Sequence, residues 1–108
     1  MDFNKYQMLA MTTRNKDMNQ KDMLINSVMG LNGEAGEVID LVKKHLFHSH
    51  ELDKDKLKYE LGDVLWYLAE AAEALDMSLE DIAISNIDKL KKRYPEGFNT
   101  ERSINRES

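Results

Sequence analysis

Two long stretches of this chain carry apolar residues at steps of four and three. Between about Lys21 and Phe47 the series is Leu24, Val28, Leu31, Ala35, Val38 and Val42. Between Asp53 and Asp76 it is Leu57, Leu61, Val64, Leu68, Ala72 and Leu75. Such steps place every member on one side of an α-helix, and over several turns they make a seam suited to left-handed packing on other helices. A strand could not bury either set, because its side chains alternate between faces. One proline and five glycines in 108 residues leave little to interrupt the helices. The segment His48-Ser49-His50-Glu51-Leu52 between the two stretches reads as a turn. The pair is therefore expected to fold back as an antiparallel hairpin.

Shorter helices flank the hairpin. The first starts at Asp2, a suitable N-cap, and runs to about Arg14, with Phe3, Tyr6 and Ala10 on its apolar side. Asn15 to Gln20 is polar and reads as a linker. Asp53 caps the third helix and Ser78 the fourth, where Glu80 and Asp81 suit the positive end of the helix dipole. Tyr94-Pro95-Glu96-Gly97 ends the fourth helix at Arg93. The expected fold is all-α: one domain over 1–98, an antiparallel bundle of about four main helices, then a loose polar tail over 99–108. Two short helices are thin cover for two long seams, so the bundle is expected to be completed by oligomerisation.

Charge narrows the partners. The net charge is -5, whereas a nucleic-acid polymer calls for a basic footprint, so none is expected. There is no cysteine, which excludes thiolate metal sites and a disulfide framework. No apolar run approaches membrane-spanning length and the first residues lack a signal-peptide pattern, so a cytoplasmic protein with no membrane partner is expected.

The chemistry lies in two acidic doublets, Glu34-Ala-Gly-Glu37 and Glu60-Leu-Gly-Asp63. Residues three apart are neighbours on a helix, so each doublet presents two carboxylates together. In the hairpin the doublets fall at similar heights beside the seams. Four like charges repel unless something positive sits among them, and all-oxygen ligands suit a hard cation, Mg²⁺ or Mn²⁺. Lys44 shares the stripe of Glu34 and Glu37. Tyr67 and Glu70 share that of Glu60 and Asp63, which places Tyr67 near any ligand. Gly36 and Gly62 precede the second acid of each doublet, and helical glycine is costly unless something approaches closely. On the fourth helix Asn86, Lys89 and Arg93 line one stripe and offer cations to a polyphosphate. Trp66 lies off these stripes and is expected to pack.

These stretches resemble the MazG-like all-α nucleoside triphosphate pyrophosphohydrolases. The likeness rests on Gly30-Leu-Asn-Gly-Glu-Ala-Gly-Glu-Val38, Tyr59-Glu-Leu-Gly-Asp-Val-Leu-Trp-Tyr-Leu68 and Asn86-Ile-Asp-Lys-Leu-Lys-Lys-Arg-Tyr-Pro-Glu-Gly-Phe98, in order. The resemblance implies a MazG-like domain that hydrolyses (deoxy)nucleoside triphosphates to the monophosphate and pyrophosphate with Mg²⁺, in nucleotide-pool control or housecleaning. It implies a homodimer or homotetramer. It makes Glu34, Glu37, Glu60 and Asp63 the catalytic metal ligands, and Asn86, Lys89 and Arg93 substrate contacts. Where many relatives carry another acid just before the first ligand, this chain has Gly33. The competing reading is a non-catalytic helical interaction or regulatory module with acidic faces. A ferritin-like di-metal protein is disfavoured, because no Glu is followed by His three residues on.

Overall fold

The computed structural model describes residues 1–104; the end of the expected polar tail, 105–108, lies outside the described residues. The helices are α1 (Phe3–Ala10), tightening into a 3₁₀ turn at Met11–Thr13, α2 (Gln20–Phe47), α3 (Lys54–Ala74), α4 (Leu79–Arg93) and a short α5 (Thr100–Ile104). Among the described residues no strand forms, and the fold is all-α.

Local chemistry sets the ends. Asp2, Asp53 and Ser78 each accept a hydrogen bond from the backbone N–H three residues on, from Lys5, Lys56 and Asp81. Asn19 does the same for Asp22, so α2 starts within the segment expected to be linker. The first helix tightens before Arg14 because Thr12 and Thr13 donate their hydroxyls to the carbonyls of Leu9 and Ala10. α3 stops at a left-handed residue, Asp76 (φ 55°), with the Met77 N–H returning to the Ala72 carbonyl. Part of the tail is ordered, since Thr100–Ile104 is helical where a loose segment was expected.

The hairpin is fixed by side chains in antiparallel register. Gln20, at the start of α2, donates to the Ala74 carbonyl (2.6 Å) and to Asp76 Oδ2 (2.8 Å) at the end of α3. Asn26 donates to Glu70 Oε1 at 2.7 Å. The Tyr67 ring then covers Gly30 so closely that a Cβ there would lie 2.2 Å from it. Finally Glu34 meets Glu60 and Asp63. Numbers rise along α2 as they fall along α3.

The buried core is small and lies off the hairpin's midpoint. Ala10, Met11, Ala69 and Leu79 form it, with Tyr6, Leu65, Trp66 and Leu68 packed against them. Trp66 packs as expected, donating its Nε1–H toward the Ala10 carbonyl and Thr13 Oγ1. Gln7 is buried at the junction, where Oε1 accepts from the first N–H of α4, Leu79, and Nε2 donates to Glu73 and Met77. The seams are only partly covered: Val28, Leu61 and Leu75 belong to them yet are about half exposed. Met23 and Ser27 are buried on α2 instead.

Candidate metal centre

Glu34 of α2 and Glu60 and Asp63 of α3 each direct a carboxylate oxygen into one place, all within 4.8 Å of one another. Three residues along a helix advance about 4.5 Å and rotate 60° short of a full turn, so Glu60 and Asp63 emerge together from one face. The antiparallel register carries Glu34 between them. Glu34 and Glu60 are half-buried, and Asp63 faces solvent.

The three charges crowd. A hydrogen bond with Glu60 holds the Glu34 carboxyl above its ordinary value of 4.5, with desolvation and the charges of Asp63, Glu60 and Glu37 adding to the effect. The crowding that disfavours ionising all of them is what a cation placed among them would relieve. The donor set is all oxygen, closely spaced and open on one side, which fits Mg²⁺ or Mn²⁺ and offers nothing to a soft metal.

The other expected site residues are placed differently. Glu37 lies outside the trio, exposed one turn along α2, yet near enough for its charge to act on Glu34. Lys44 pairs with Asp40 on its own helix at 3.0 Å. Tyr67 lies against Gly30, edge-on to Trp66 with ring centroids 5.2 Å apart. Asn86 and Lys89 are exposed and Arg93 half-buried on α4, which packs on α1 and α3. Gly30 is the glycine a neighbouring ring requires; Gly36 and Gly62 meet nothing within 4 Å, so the close approach expected there is not made within one chain.

One neighbour escaped the sequence reading. Tyr6 of α1 is pushed above its ordinary value, first by burial and then by the charge of Asp63, which puts its phenol beside the acids. A groove of about 690 Å³, lined by Gln7, Met11, Arg14, Glu73 and Met77 among others, lies at the α1–α4 junction and contains none of the three acids.

With this geometry in view, the sequence comparison is decisive. The MazG nucleotide pyrophosphohydrolase domain matches residues 25–98, which include both doublets and the α4 stripe. This chain belongs to the MazG family. It is also 42% identical over 73 residues to the Gene 37 protein of Mycobacterium phage L5, a match covering 64% of this chain and 64% of that protein. The chain thus spans less than two thirds of that relative's length. No solved structure matches it significantly. MazG membership fits the all-α fold, and no described helix is long and apolar enough to cross a membrane.

Proposed function

We propose that this protein hydrolyses nucleoside or deoxynucleoside triphosphates to the monophosphate and pyrophosphate, with Mg²⁺ or Mn²⁺ as cofactor. The observation that carries this is the convergence of Glu34, Glu60 and Asp63 from two helices, in a chain of the MazG family. Glu34, Glu60 and Asp63 hold the cation. When bound, it neutralises phosphate charge and makes water more acidic. Glu37, outside the trio, is assigned the remaining acidic role, as fourth ligand or as acceptor of the attacking water's proton.

Phosphoryl transfer asks a protein mainly for alignment and positive charge. Lys89 and Arg93, with Asn86 beside them, are assigned the phosphate or sugar contacts. Lys44 is released to the substrate only if it leaves Asp40. Tyr67 is assigned a contact with the nucleotide from the groove floor. The catalytic domain is placed over 1–98, working as a homodimer or homotetramer in the cytoplasm.

A hydrolysis panel of the common dNTPs and NTPs, with and without Mg²⁺, tests this if pyrophosphate is separated from single phosphate. Metal-dependent pyrophosphate release is expected. Glu60→Gln should lower turnover about a hundredfold or more while the helical signal is kept. Unchanged turnover in that variant would remove the ligand assignment. Silence across the panel from folded wild type, with no stabilisation by Mg²⁺, favours the non-catalytic helical module.

A further inference from the structure

The acids are one end of a longer column. On α3, Glu60, Asp63, Tyr67 and Glu70 follow one another at steps of three and four; facing them on α2 stand Asn26, Gly30 and Glu34. The metal trio occupies one end and the Tyr67–Gly30 contact the middle. At the far end Glu70 is fully buried, and only one of its oxygens is satisfied. Oε1 accepts from Asn26 Nδ2 at 2.7 Å, while Oε2 makes no hydrogen bond. A buried carboxylate oxygen without a donor is among the costliest groups a fold can carry. The metal trio does not include it, and the bond that ties it into the hairpin uses Oε1 alone.

Access and reach both fit a ligand. Asn26, the side chain that meets Glu70, is itself exposed, so the pair reaches from a buried carboxyl to the surface. Seven residues along α3 from Asp63 to Glu70 span about 10 Å, and eight along α2 from Asn26 to Glu34 about 12 Å. That matches the reach of a nucleotide from its phosphates to its base. We propose that Glu70 and Asn26 are the base-reading end of this column. They select a nucleotide whose base presents, on its pairing edge beside the ring's 4- or 6-position, an exocyclic amino group next to an unprotonated ring nitrogen.

The donor pattern follows from the residues. An ionised Glu70 would offer Oε2 as an acceptor only. Asn26 Nδ2 spends one N–H on Oε1 and keeps a second to donate. An acceptor beside a donor complements the N4–H and N3 edge of cytosine, or the N6–H and N1 edge of adenine. Uracil, thymine and guanine place a carbonyl opposite Glu70 and a ring N–H opposite Asn26, a mismatch at both points. Tyr67, between the pair and the trio, offers a ring face to the nucleoside.

This assignment rests on the nucleotide-hydrolase reading, so its test separates the two. The Mg²⁺-dependent kcat/KM is measured for dATP, dCTP, dGTP, dTTP and dUTP, alongside calorimetric binding of the same five nucleotides. Wild type should prefer dCTP or dATP, and Glu70→Gln should narrow or invert that preference about tenfold or more. Should Glu70→Gln fail to fold, Asn26→Ala carries the test, since its site is exposed and alanine favours helix. Hydrolysis whose base ranking is the same in wild type and variant overturns the assignment and leaves the hydrolase reading standing. Base-selective binding erased by Glu70→Gln, without hydrolysis, supports the assignment and sinks the hydrolase reading. Absence of both overturns both.

Discussion

At the scale of single residues, Glu34 is the group whose titration reports on the centre. Its carboxyl is held above 4.5 chiefly by the hydrogen bond with Glu60. Without metal, the folded state therefore binds this proton more tightly than the unfolded chain. The stability it contributes is full below 4.5 and is lost as pH rises through the raised folded value. A divalent cation competes with that proton, so stabilisation by Mg²⁺ should be larger at pH 7.5 than at pH 5. Thermal melts with and without Mg²⁺ at the two pH values check this, and Glu34→Gln should remove most of the pH dependence. A metal-induced shift equal at both pH values would falsify the shared-proton account. The glycines separate as sharply. Gly30→Ala must displace the Tyr67 ring, which a new Cβ would approach to 2.2 Å, and should cost about 1–3 kcal/mol. Gly36→Ala meets open space within one chain and should gain about 1 kcal/mol in the monomer, measurable by urea unfolding.

At the scale of elements, helix boundaries were the most legible part of the sequence, because short side chains fix them locally. Asp2, Asp53 and Ser78 were readable as N-caps from their positions ahead of apolar periodicity. The hairpin was readable too, since two seams with one short turn between them leave few other solutions. Face-to-face detail was not. Whether Glu37 joins the trio depends on 60° of rotation about α2, which the spacing of the doublets leaves open. Glu70 looked like one more surface acid on the stripe, and only the helix crossing buries it. The junction of α1 with α4 was equally hidden, because it hangs on one buried amide. Gln7 holds the Leu79 N–H at 2.6 Å and both Glu73 and the Met77 carbonyl from its other end. Gln7→Leu, close in volume, leaves that N–H without an acceptor and should cost about 1–3 kcal/mol. Chemical denaturation gives the number; a cost near zero means that α4 is not tethered this way.

At the scale of the whole molecule, the single chain is open. Its radius of gyration is 16.8 Å, against about 13 Å for a compact chain of this size. The excess goes with apolar side chains that nothing covers: Ile84 and Ile87 are 52% and 50% exposed on α4, Val28 50% and Met29 69% on α2. α4 also holds Asn86 and Lys89 in solvent, and its packing is on α1 and α3. A second copy laid on these faces would cover the isoleucines and bring a cationic stripe toward an acidic centre. Burying one isoleucine is worth about 1.5–3 kcal/mol, and a two-fold interface counts every contact twice. Sedimentation at micromolar protein should therefore show a dimer or tetramer. Ile84→Asp with Ile87→Asp should shift it to monomer while the helical signal persists. Subunit mixing then asks whether the site is shared. On the proposed assignment Glu60→Gln loses a metal ligand and Lys89→Ala a phosphate contact, so each alone should be nearly inactive. If the two residues act across the interface, mixed assemblies regain one intact site and activity returns. If mixing restores nothing although the subunits exchange, Lys89 serves its own chain's acids, and α4 must swing toward α2 before substrate is held.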